Sequence, residues 1–277
     1  MATVRVLKKL VSRFFVNQVD WRQIFMVHIV GAGSGDVELI TLKGKRLLEE
    51  ADVIIYAGSL VNPELLNFCK ADAKKYNSAH MTLDEVIKLI EQAESENLTT
   101  VRLHTGDPAI YGAIQEQMDE LKKRNINFDV TPGVSSFLAA AAALKQEYTL
   151  PGISQTVIIT RQAGRTPVPE RESLKSLAKH QSTMCIFLSI HMIEDVVKEL
   201  IAGGFNLDTP VAIVEHASWS DEKIIRGTLE TIAKQVNDEG IDRTAMIVVG
   251  NCLDAQYEQS KLYSPKFSHM FRKAENN

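Results

Sequence analysis

Leu103-His104-Thr105-Gly106-Asp107-Pro108-Ala109-Ile110-Tyr111-Gly112 is the stretch on which the reading of this chain turns. An apolar run ends in it and a helical pattern leaves it, the passage at which open α/β folds keep their ligand loops. Gly106 permits backbone conformations that a residue with Cβ resists. Asp107 can cap the helix, and Pro108 stands where a missing N–H costs nothing. A well-built strand-to-helix turn explains these residues as well as a ligand loop does.

Outward from this stretch, strand and helix patterns alternate, the signature of α/β architecture. Strands are predicted at 27–30, 53–56, 100–103 and 128–131, with a helix running to about Glu50 after the first. Thr82-Leu83-Asp84-Glu85 reads as a capping box, followed by the apolar face Leu83, Val86, Ile87 and Ile90. Ile110, Ala113, Ile114, Met118 and Leu121 mark a helix behind the opening stretch, and an alanine-rich helix is predicted over 135–144. Further strands follow at 156–160, 184–188, 211–215, 223–227 and 246–250, with a helix carrying Ile193, Val196, Val197, Leu200 and Ile201 up to Gly203-Gly204. The expected organisation is an N-terminal extension (1–25), two α/β domains (26–145 and 146–253) and a polar, fraying tail (254–277). A cofactor cleft is expected between the two domains.

Composition narrows the function classes. The chain has 277 residues, 45% of them hydrophobic, and a formal net charge of −4 with Lys and Arg spread along it. Nothing here suits a nucleic-acid binder that relies on long-range attraction. Cys69, Cys185 and Cys252 are far apart, and the seven histidines show no ligand spacing, so no disulfide framework and no protein-bound metal are expected. No apolar stretch approaches the roughly 18 residues of a membrane span. Residues 1–25 set five basic residues against Asp20 and put Leu7, Leu10, Val11, Phe14 and Phe15 on one possible helical face. That pattern reads as an upstream start or added segment, with an amphipathic anchor as the lesser reading.

Gly31-Ala32-Gly33-Ser34-Gly35-Asp36 after the first strand invites a dinucleotide-binding assignment. It fails because the third glycine of the fingerprint would fall at Asp36. Taken in order, Val27–Asp36, the Thr105–Gly112 stretch and Val130-Thr131-Pro132-Gly133-Val134-Ser135-Ser136 resemble the tetrapyrrole methylases, which use S-adenosylmethionine. The resemblance runs from about Met26 to Leu253. With Thr160-Arg161 and Gly164-Arg165-Thr166-Pro167-Val168-Pro169-Glu170 included, it is strongest to the precorrin-4 C11-methyltransferases, above all their cobalt-precorrin-4 branch. The chain departs from the family at Ser34, where proline is common.

The resemblance implies cofactor contacts from Thr105, Gly106, Asp107, Ile110, Ser135 and Ser136, and more weakly from Ser189, Ala217 and Ala245. It also implies a homodimer and an anionic tetrapyrrole substrate, any cobalt belonging to that substrate, while the three cysteines read as reduced thiols of a cytoplasmic protein. A carboxylate-rich substrate needs local cations on an acidic protein. Arg161, Arg165 and His104 are the candidates, with Lys223 and Arg226 behind them. Solvated surface arginines are the plain alternative. His80, His104, His191 and His216 fall near loop ends, and the sequence selects none as a general base. Other readings stay open: a methylase acting on another precorrin or on uroporphyrinogen, a non-catalytic tetrapyrrole-binding protein, and a nucleotide-binding oxidoreductase.

Overall fold

The computed structural model describes residues 26–254, 256–258 and 260–274; the expected extension over 1–25 lies outside them. The described residues divide into two compact units, one of 26–33 plus Val37–Gly133, the other of Ser34–Asp36 plus those from Val134 onward.

The first unit contains β1 (Val27–Gly31), α1 (Leu42–Glu50), β2 (Val53–Tyr56), β3 (Lys74–Asn77), α2 (Leu83–Ser95), β4 (Thr100–His104), α3 (Ile114–Lys123) and β5 (Phe128–Thr131). Its sheet runs β3-β2-β4-β1-β5 and every pairing in it is parallel. Successive residues of a strand face opposite sides. Val30, Ile54, Val101 and Leu103 therefore pack with Leu47 and Leu48 of α1 on one face. Val27, Val53 and Ile55 pack with Val86, Ile87 and Ile90 of α2 on the other. Each of those large apolar side chains contributes about 1.5–3 kcal/mol by leaving water. The capping box at Thr82 forms as read, Thr82 Oγ1 accepting from Glu85 N–H while Glu85 accepts from Thr82 N–H. Adjacent strands β1 and β4 send their connections to opposite faces, which makes their C-terminal ends the switch point where such sheets bind ligands.

The second unit comprises α4 (Ser136–Leu144), β6 (Val157–Arg161), α5 (Leu174–Ala178), β7 (Thr183–Phe187), α6 (Ile193–Ala202), β8 (Pro210–Glu215), β9 (Lys223–Thr228), α7 (Ile232–Asp238) and β10 (Ala245–Val249). Its sheet is mixed, in the order β6-β7-β10-β8-β9, with β6 parallel to β7 and the other pairs antiparallel. The alanine-rich helix belongs here, so the units divide after Gly133 and not near residue 145. Ala139, Ala140 and Leu144 pack with Ala212, Val214, Met246 and Val248 of the second sheet. Small side chains on α4 let it lie close to that face.

Where a polar, fraying tail is expected, the described residues 260–274 hold local structure. Arg272 Nη2 donates to the carbonyls of Leu262 (2.6 Å) and Ser264 (2.8 Å), and His269 and Arg272 pair as a bridge, closing a local turn.

Candidate functional site

In the first unit, three loops leave the C-terminal ends of β1, β4 and β5, and glycines let them touch backbone to backbone. A Cβ on Gly133 would lie 2.1 Å from Gly106 O and 2.9 Å from Gly31 Cα. Gly33 and Gly106 pair as an antiparallel bridge, with Gly106 N–H donating to Gly33 O at 2.8 Å. Asp107 ties the arrangement together. One carboxylate oxygen accepts from Gly133 N–H (2.9 Å) and the other from Ala109 N–H (2.8 Å).

Asp107 therefore caps a turn and not the helix, which begins only at Ile114. The intervening residues cannot be helical, because Tyr111 (φ +55°) and Ala113 (φ +49°) are left-handed. Among the described residues ten non-glycines have positive φ, and four of them (Asn97, Asn125, Lys145, Gln181) simply end helices. The other six are Tyr111, Ala113, Leu188, His216, Ser218 and Thr244, all in the loops that carry or adjoin candidate residues. Each such conformation costs about 1–3 kcal/mol, a concentration typical of sites held for function.

Polar atoms around this loop are left without partners. His104 Nε2, Thr105 Oγ1 and Thr131 Oγ1 are buried and make no hydrogen bond among the described residues. An unsatisfied buried polar group costs about 1–3 kcal/mol, so atoms like these commonly mark where a ligand or water completes the structure. His104 is only 4% exposed, and burial, helped by the Arg102 charge, pushes its imidazole down to about 3. It is neutral at pH 7, which removes it as a cation for substrate carboxylates and leaves it as a hydrogen-bonding group. Ile110 is half-buried in the same loop.

The second unit gathers its candidates along one sheet edge. β6 ends at Arg161 opposite Phe187 of β7; Ala245 begins β10 opposite Glu215, which ends β8 opposite Lys223. Ser135 and Ser136 open α4 near this edge, the Phe137 ring standing 6.4 Å from Phe187. Ala217 is buried between left-handed His216 and Ser218.

Side chains here are mostly committed to their own unit. Ser189 Oγ donates to Phe187 O (2.6 Å) and accepts from Gln162 N–H (2.8 Å), leaving little for a ligand. Arg161 donates to Thr166 O (3.1 Å) and Pro167 O (2.8 Å), so its guanidinium shapes the proline-rich loop. Arg226 holds the carbonyl of Leu144 at 2.9 Å, and Lys223 pairs loosely with Glu239 at 3.7 Å. Arg165, exposed at the tip of its loop, makes no hydrogen bond or ion pair among the described residues.

Sequence reasoning missed the Ser34–Asp36 clasp. Trp219 Nε1 donates to Ser34 O (2.9 Å), Ser34 Oγ and Ser218 Oγ are 2.8 Å apart, and Asp36 N–H donates to Ser218 Oγ (3.1 Å). A Cβ on Gly35 would lie 2.1 Å from the Trp219 ring. Gly35, the glycine that stands one position short of where the failed fingerprint needs one, therefore serves an indole. No spacing rule links residues so far apart in the chain.

With this geometry in hand, the comparisons with known proteins agree with one another. The family described as Tetrapyrrole (Corrin/Porphyrin) Methylases matches residues 26–233. A cobalt-precorrin-4 C(11)-methyltransferase of Methanocaldococcus jannaschii is 61% identical over 249 residues, 90% of this chain and 96% of that protein. The crystal structure of a cobalt precorrin-4 methyltransferase, described as a cobalamin biosynthetic enzyme, superposes with a TM-score of 0.84 at 45% identity, covering 86% of this chain and 100% of that one. The uroporphyrin-III C-methyltransferase of Thermus thermophilus, solved with S-adenosylhomocysteine, gives a TM-score of 0.70 at 26% identity, covering 83% of this chain and 93% of that one.

Proposed function

The chain belongs to the tetrapyrrole (corrin/porphyrin) methylase family, and from that premise we infer that it is the S-adenosylmethionine-dependent methyltransferase acting on C11 of cobalt-precorrin-4 in cobalamin biosynthesis. The observation that carries this reading is 61% identity to a cobalt-precorrin-4 C(11)-methyltransferase across nearly its whole length.

The residues present suit such a cofactor. Thr105 brings an unpartnered buried hydroxyl, Gly106 close backbone approach and Ile110 a half-buried apolar side chain, in a loop whose shape Asp107 holds. In the second unit Ser135, Ser136, Ala217 and Ala245 are assigned as further cofactor contacts, chiefly through backbone groups. Ser189 is assigned a supporting place, since both its hydrogen bonds go to its own backbone neighbours.

S-adenosylmethionine supplies a methyl group on a positively charged sulfur, and the reduced macrocycle offers an electron-rich pyrrole α-carbon to receive it. The protein's part is alignment and exclusion of water; orientation alone can offset about 7–11 kcal/mol of barrier. Arg165 is the cation assigned to a substrate carboxylate, by bidentate hydrogen bonding. Arg161 acts through the loop that carries it. His104 is assigned as an uncharged hydrogen-bonding group on the same ligand side.

No helix among the described residues is long and apolar enough to cross a membrane. A cytoplasmic homodimer, with no nucleic-acid partner, completes the proposal. Its test is calorimetric titration with S-adenosylhomocysteine against an NADH control, then incubation with cobalt-precorrin-4 and labelled methyl donor. Label at C11 is the expected result. Label at another carbon, or binding without turnover, would replace this function with that of a different methylase or a carrier.

A further inference from the structure

Arg102 is 7% exposed on β4, and no carboxylate among the described residues pairs with it. Its Nε donates to Gln117 Oε1 (3.0 Å), and its Nη1 donates to the carbonyls of Ile55 (3.1 Å) and Leu103 (3.4 Å). Burial pushes the guanidinium down to about 10, which still leaves it charged at neutral pH. Gln117 is equally buried, and its Nε2 donates to Ala113 O at 3.0 Å. Ala113 is the left-handed residue directly before α3, two positions after left-handed Tyr111.

The packing of β2, β4 and α3 does not call for a charge. Apolar side chains of similar volume in place of buried ionic groups are often neutral or stabilising. The strained turn does explain one. A side-chain amide can lie either way round, and only one way presents N–H to the Ala113 carbonyl. A guanidinium donates and cannot accept, so it forces the Gln117 oxygen toward itself and the nitrogen toward Ala113. We propose that Arg102 and Gln117 are positioning residues that hold the far end of the 105–113 loop, as Asp107 holds its near end. The inference rests on the reading that this loop carries the cofactor.

The test titrates S-adenosylhomocysteine into the wild type, Asp107→Ala, Gln117→Glu and the double variant Arg102→Met/Gln117→Met, with melting temperature and amide exchange measured on each. Gln117→Glu keeps the acceptor for Arg102 but turns an oxygen toward the Ala113 carbonyl. It should melt at or above the wild-type temperature, bind about tenfold more weakly, and exchange faster at the Tyr111–Ala113 amides. The double variant should likewise keep its melting temperature and lose binding. Folded Gln117→Glu and double variants that bind within about twofold of wild type, while Asp107→Ala binds poorly, would overturn the relay alone. Asp107→Ala binding like wild type would overturn the loop reading and the relay with it. If both relay variants fail to fold, the pair serves the fold and the proposal falls.

Discussion

The loops that carry the candidate residues are built on opposite plans in the two units. In the first unit, backbone meets backbone through Gly31, Gly106 and Gly133, and polar side-chain atoms of His104, Thr105 and Thr131 are left without partners. In the second, most candidate side chains, Arg165 excepted, are used up within the unit: Ser189 ties Phe187 to Gln162, and Arg161 grips Thr166 and Pro167. A serine or arginine at a family position is therefore not a ligand contact by default. What decides is whether the fold has already filled its hydrogen bonds.

The sharpest way to break this contrast is at Gly133. Gly133→Ala drives a Cβ into rigid backbone at 2.1 Å, and should destabilise the protein by about 3 kcal/mol or more in urea unfolding and abolish S-adenosylhomocysteine binding. Gly240→Ala is its control, left-handed at φ +68° with open space around it, and should lose only about 1 kcal/mol.

Acid comes next in size. His104 stays neutral in the fold down to about pH 3, whereas in the unfolded chain it takes a proton below about 6.5. Its contribution is complete above the unfolded value and falls as pH drops toward 3. From pH 7 to 5 the loss is about 2 kcal/mol, and the His104→Gln variant should show a correspondingly shallower acid slope.

Asp107→Ala removes two charge-assisted bonds to backbone amides and should cost about 1–2 kcal/mol, with cofactor affinity falling in the same titration. The smallest effects separate the arginines. Arg161→Ala should lose about 1 kcal/mol of stability through its loop, while Arg165→Ala should melt as wild type and raise KM for the tetrapyrrole. If Arg165→Ala leaves KM unchanged, the cation for the substrate has been misassigned.

Much of the fold was legible because periodicity reports burial. Val27, Val53, Val101 and Val211 lie in strands within a residue of where alternation puts them, and Thr82 caps its helix as its spacing says. β3 escaped notice because Lys74-Lys75-Tyr76-Asn77 is an exposed edge strand with no apolar signature. The start of α3 was misread for a different reason. Asp107 and Pro108 imitate a helix start, but Asp107 answers Gly133, which lies far along the chain. Arg102 was invisible as a site residue because a charge inside an apolar run reads as an exposed position.

The Ser34–Asp36 clasp makes the second unit discontinuous in sequence. A fragment starting at Val134 would carry every strand of that unit, yet it would leave the Trp219 indole without the Ser34 carbonyl and the Gly35 surface it rests on. Genetic dissection at the obvious boundary should therefore give two incomplete pieces, the missing tripeptide travelling with the wrong one. During synthesis the order favours assembly, since those three residues emerge long before the turn that receives them.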